Sequence, residues 1–112
     1  MKINRGEIFL TKLSQKKPRI TKTRPVLVIS NDISNQHSGT VTVLPITSRN
    51  LSSVYPFEVV LPQGTGNLSK ASKIKTDQVR TLERSSIIKY VGTVEKKVMA
   101  AVESALKIHL GL

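Results

Sequence analysis

The chain contains no cysteine and no tryptophan. The first absence excludes disulfides, thiolate nucleophiles and cysteine-held zinc. Aromatic residues make up only 4% of the 112 positions, so the core must be aliphatic, and its Val, Ile and Leu favour strands. No apolar run approaches the ~18 residues of a membrane-spanning helix, and residues 1–6 lack the apolar stretch of a secretory signal. A cytosolic protein is expected. Acidic side chains are scarce: 7 Asp and Glu stand against 18 Lys and Arg, a formal net charge of +11. A field of that sign attracts polyanions such as RNA, DNA or an acidic protein segment. The two histidines, His37 and His109, are far apart and fit no metal-binding motif, so neither a metal nor another cofactor is expected. The length predicts one domain, 1–112.

What is present reads mostly as strands. Residues 5–11 alternate loosely and predict a first strand, while 13–23 are basic, contain proline and predict an exposed loop. Residues 25–29 form a continuous apolar run, with Pro25 tolerated at its start. A polar connection is expected over 33–39, a partner strand over 40–46, a loop over 49–55 and a strand over 56–61. Residues 72–80 alternate as one further strand, and 87–92 form a last short one. Thr93 is a candidate cap for a C-terminal helix whose apolar stripe is Val94, Val98, Val102, Leu106 and Leu110, and Gly111 ends it. The expectation is a mainly β protein: a strongly bent antiparallel sheet closed by one helix.

Two strands end in polar residues where a fully buried strand would stay apolar. One is Arg24-Pro25-Val26-Leu27-Val28-Ile29-Ser30-Asn31-Asp32; the other is Leu44-Pro45-Ile46-Thr47-Ser48. This puts Arg24 and Thr47 on rigid backbone, where side chains can be aimed.

Together with Arg5-Gly6-Glu7-Ile8, Asn31-Asp32-Ile33-Ser34-Asn35, Tyr55-Pro56-Phe57-Glu58-Val59-Val60-Leu61, Asp77-Gln78-Val79-Arg80-Thr81 and residues 105–112, these runs resemble the MazF/PemK/Kid toxins of toxin–antitoxin modules. The pieces occur in the family's order over nearly the whole chain. The resemblance implies an SH3-like β-barrel of the MazF/CcdB type, a homodimer, and a metal-independent endoribonuclease acting on single-stranded RNA at short sequences. It implies Arg24 and Thr47 as catalytic residues, and Asn31, Asn35, Ser48, Tyr55, Pro56 and Gln78 as lining of the RNA groove. It also implies a cognate acidic, MazE-like antitoxin. The chain departs from the family in its first loop. Many members carry Gly-Ser-Glu-Gln before the Arg-Pro pair; here the positions read Pro18-Arg19-Ile20-Thr21, and no carboxylate lies between Glu7 and Asp32.

The chemistry suits these residues. RNA carries its own nucleophile, the 2′-OH, so a protein need only orient the backbone and stabilise the charge of the phosphorane. A guanidinium donates two hydrogen bonds to phosphate oxygens, and a threonine hydroxyl adds another. Lys16 and Lys17, just before Arg24, would add sequence-independent attraction to RNA. Asn31 and Asn35 are equally good turn residues. Tyr55 and Phe57 could stack on bases, although Phe57 suits the core better. His37 reads as solvated, and His109 as a charge favourable to the helix dipole. A different class of function remains open on the same fold: a non-catalytic CcdB-like poison that binds DNA gyrase. A plain nucleic-acid-binding module is a third reading.

Overall fold

Strand β3 (Thr40–Thr47) organises the molecule, because its alternation serves two faces. Leu44 and Ile46 point into one apolar cluster, Val41 and Val43 into another. The computed structural model describes residues 1–14 and 21–112. β1 (Glu7–Ser14) and β2 (Thr21–Val28) form an antiparallel hairpin, and β2 pairs with β3. β4 (Glu58–Leu61) pairs with β5 (Ser72–Lys75), which joins the last residues of β3. β6 (Arg80–Glu83) pairs with the first half of β3, and β7 (Ile87–Thr93) with β1. The strands line up as β4-β5-β3-β2-β1-β7, with β6 beside β3. This curls the sheet like a barrel. A 3₁₀ turn at Thr65–Asn67 bridges the two ends, with the Asn67 amide donating to the Val91 carbonyl at 3.1 Å.

Helix α2 (Lys96–Leu110) covers one face. It buries Val102 and Ala105 and packs Val98, Met99 and Leu106 against Ile8, Leu27, Leu44, Ile46, Leu61 and Ile74. The expected stripe is therefore real as far as Leu106, whereas Leu110 is exposed. Gly111 takes the left-handed conformation (φ 72°) that ends the helix, as anticipated. On the other face Phe9, Val26, Val28, Val41 and Val43 form the second cluster. That face turns polar towards the end of β3, which creates the site.

Several expectations are corrected. The loop expected over 13–23 is corrected at its two ends, where Lys12↔Thr23, Leu13↔Lys22 and Ser14↔Thr21 pair by backbone, which apolar periodicity does not report; the rest of that expectation, 15–20, lies outside the described residues. Residues 33–39 are not simply a connection: α1 (Asp32–His37) forms there, capped by the Asn31 side chain accepting from the Ser34 N–H at 2.8 Å. The 72–80 run is not one strand. β5 and β6 pair with opposite ends of β3, so the chain must leave the sheet between them, and Gln78 sits in that turn. The strand expected from residue 56 starts at Glu58, leaving Pro56 and Phe57 in the preceding turn. Thr93 does not cap α2. It pairs with Glu7 and its hydroxyl meets that of Tyr90 at 2.6 Å, while Glu95 holds the cap position. Phe57 is only half-buried and lies outside both core clusters.

Candidate active site

The register of the central strands sets up the site. Val26 pairs with Pro45 as the last pair between β2 and β3, so Arg24 and Thr47 each lie two residues beyond it on neighbouring strands. On the other side of β3, Thr47 pairs directly with Lys73. Arg24 on β2, Thr47 on β3 and Lys73 on β5 are thereby brought close together. Residues opposite one another share a face, and all three line one cleft of about 290 Å³. Arg49 and Asn50, from the loop after β3, form one wall; Lys75, Gln78 and Arg80 form another.

The cleft is strongly positive. Among the described residues, none of the ion pairs uses Arg24, Arg49 or Arg80. The Thr47 hydroxyl oxygen accepts the Arg49 N–H at 3.1 Å, which leaves its own proton free to donate into the cleft.

Two of the lining lysines, Lys73 and Lys75, meet Glu58, whose side chain is fully buried. It accepts from the Lys73 ammonium at 3.0 Å and from the Tyr55 N–H at 3.1 Å, and Lys75 lies 3.3 Å from its second oxygen. Burial alone would push the Glu58 carboxyl up. The Tyr55 amide and the two ammonium groups outweigh burial and hold it below its ordinary value. Glu58 is therefore ionised at neutral pH and unavailable as a proton donor.

The structure gathers only some of the anticipated residues. Arg24, Thr47 and Gln78 meet in this cleft. Ser48 lines an adjoining cleft of about 180 Å³ that shares Arg24 and Ile46 with the first. Asn31 lines a different cleft, with Arg5, Ser34 and Thr42, and its side-chain oxygen is engaged in capping α1. Asn35, anticipated in the RNA groove, is 1% exposed and does not line this cleft; its amide is bonded to Ser30 and Asp32. Tyr55 is exposed and stacked on Phe57 with ring centroids 5.3 Å apart, and Pro56 beside it is exposed. Lys16 and Lys17 lie outside the described residues.

The sequence reading missed Arg49, Asn50, Glu58, Lys73, Lys75 and Arg80. The signal was there for three of them. Lys73 and Lys75 flank Ile74 on one face of a half-buried strand, and Glu58 interrupts an otherwise apolar run.

Residues 4–110 match the family of PemK-like, MazF-like toxins of type II toxin–antitoxin systems. The chain belongs to this family. Endoribonuclease MazF9 of Mycobacterium tuberculosis is 34% identical, over 98% of both chains. Endoribonuclease MazF of Staphylococcus saprophyticus is 33% identical, over 98% of this chain and 92% of its own. Among solved structures, MazE–MazF of Deinococcus radiodurans superposes with a TM-score of 0.81 at 28% identity, covering 100% of this chain and 98% of that one. Family membership agrees with the architecture: a mainly β, barrel-like sheet with a C-terminal helix.

Proposed function

We propose that this protein is the toxin of a type II toxin–antitoxin module, acting in the cytosol as a metal-independent endoribonuclease on single-stranded RNA. The observation that carries this reading is that Arg24 and Thr47, from adjacent strands, line one cleft together with Arg49 and Arg80, none of these arginines being in an ion pair among the described residues.

The chemistry follows from that placement. The 2′-oxygen of the nucleotide before the cut attacks the adjacent phosphorus and loses its proton. The bond from phosphorus to the 5′-oxygen breaks, and that oxygen gains a proton. The products are a 2′,3′-cyclic phosphate and a 5′-OH. Arg24 donates to the phosphoryl oxygens as charge builds on them. Thr47, whose oxygen already accepts from Arg49, donates its hydroxyl proton to the same group. Gln78, which lines the cleft, would contact bases by hydrogen bonding, and the exposed ring of Tyr55 by stacking. Ser48, in the adjoining cleft, would follow the strand beyond Arg24.

The same positive cleft suits an acidic antitoxin segment, which would block RNA by occupying its place. A homodimer is the expected assembly. The gyrase-poison alternative is not favoured, since a protein-binding surface needs neither Arg24 nor Thr47, and both relatives above are named endoribonucleases.

The test is incubation of a long single-stranded RNA with purified protein in excess EDTA, beside Arg24→Ala and Thr47→Ala, with product ends mapped. Cleavage at a recurring short sequence with 5′-OH ends is expected, reduced at least ~10²–10³-fold in each variant. Wild-type rates in a folded Arg24→Ala protein would overturn the assignment.

A further inference from the structure

Lys73 presents a contradiction. It stands directly opposite Thr47 and lines the cleft, yet its side chain is only 4% exposed. An ammonium has three donors, and all three are engaged: the Asn50 carbonyl at 3.0 Å, the Ser53 carbonyl at 2.8 Å and Glu58 Oε1 at 3.0 Å. No donor is left for a phosphate. Two of the three bonds reach the loop that forms one wall of the cleft. Glu58 holds the same loop at a third point, through the Tyr55 N–H. At its start the loop is held by the Thr47 oxygen, which accepts from Arg49. Asn50, the next residue, lines the cleft with a left-handed backbone (φ 55°), a conformation asparagine tolerates better than most residues.

We infer that the buried Lys73–Glu58 pair is a positioning device that fixes the 49–55 loop against the sheet, and that Asn50, held by it, reads the base next to the cut. Lys73 is a positioning residue, not a phosphate ligand. The inference rests on the ribonuclease reading above and adds to it where base selectivity is set. An asparagine amide offers both a donor and an acceptor to the edge of an unstacked base. A buried ion pair suits the task because its partners must keep their geometry to offset the cost of burying both charges.

The test uses Glu58→Gln/Lys73→Met, which removes both charges together, and Asn50→Gly, which removes the side chain while keeping the positive φ. Cut sites are mapped across a randomised single-stranded RNA pool, and kcat and KM are measured on the preferred oligonucleotide. Binding of that oligonucleotide, with a 2′-deoxy substitution at the cut to prevent cleavage, is followed against salt. The double variant is expected to lose roughly tenfold in preference for the best over the next-best site, mostly through KM. Its salt slope should stay that of the wild type, because no phosphate contact is lost. Asn50→Gly should show the same broadening. A drop of about 0.7 in the salt slope would make Lys73 a phosphate ligand and overturn the inference. So would an unchanged cut-site distribution in Asn50→Gly, which decides the question even if the double variant does not fold. Failure of the wild type to cut any RNA would instead bring down the ribonuclease reading, and the inference with it.

Discussion

Glu58 and Lys73 are worth more as a pair than either is alone. A buried carboxylate left without its ammonium costs ~3–5 kcal/mol, whereas neutralising both partners is often nearly free. Lys75, 3.3 Å from Glu58, softens the loss, so Lys73→Met is expected at the lower end of that range. Glu58→Gln/Lys73→Met should cost much less than the sum of the single variants, as measured by urea unfolding at pH 7. The pair also sets a pH dependence. The Glu58 carboxyl lies below its ordinary value in the folded state, so the unfolded chain takes up its proton first. The stabilisation is complete above the unfolded value near ~4.3 and is lost as pH falls from there through the folded value. Unfolding free energies of the wild type should therefore fall below about pH 4.3 more steeply than those of the double variant. Parallel curves would contradict the assignment. Thr47 admits a separate test. Serine keeps both the oxygen that accepts from Arg49 and the proton it donates, whereas valine keeps only the shape. Thr47→Ser should remain within about tenfold of the wild-type rate, and Thr47→Val should lose ~10²–10³-fold, in single-turnover cleavage.

Elements were legible where their physics is local. β3 and α2 announce themselves by periods of two and about four, and Gly111 marks its helix end by the conformation only glycine enters freely. α1 escaped because six residues carry no period; only Asn31 before Asp32 hinted at a capped start. The break between β5 and β6 escaped for a different reason. Alternation runs across it, and what interrupts the strand is the separation of its two pairing sites at opposite ends of β3. In the same way, Arg24 and Thr47 could be singled out from their polar strand ends, but Lys73 becomes part of the site only through the register of β3 with β5. One close approach between elements is invisible in the sequence yet testable. A Cβ at Gly92 in β7 would lie 2.2 Å from the Gly66 carbonyl oxygen, a backbone atom of the turn that bridges the ends of the sheet. Gly92→Ala must push that turn away, straining the bond from Asn67 to Val91. A loss of ~1–3 kcal/mol or more is expected in chemical denaturation. Wild-type stability would mean that the turn moves freely and does not hold the sheet together.

At the scale of the whole molecule, the charge of +11 could act in two ways. Spread over the surface, it would steer RNA from a distance and fade with salt without favouring any position. Concentrated at Arg24, Arg49 and Arg80, with Lys75 partly engaged by Glu58, it would grip a few phosphates of one strand. Counterion release separates these cases. Each phosphate neutralised on a single strand contributes about −0.7 to the slope of log K against log salt, so three to four contacts predict a slope of about −2 to −3. Binding of a non-cleavable oligonucleotide between ~50 and ~300 mM salt measures it. Arg24→Ala should reduce the slope by about 0.7 and remove cleavage as well. Lys96→Ala and Lys97→Ala, at the exposed start of α2, carry the same net charge change but line none of the cleft. If they reduce the slope as much as Arg24→Ala does, the charge acts as a general field and the cleft does not hold the strand. If they leave it unchanged, the strand is held where Arg24 and Thr47 stand, and the same contact that binds the phosphate is the one positioned to stabilise it as it reacts.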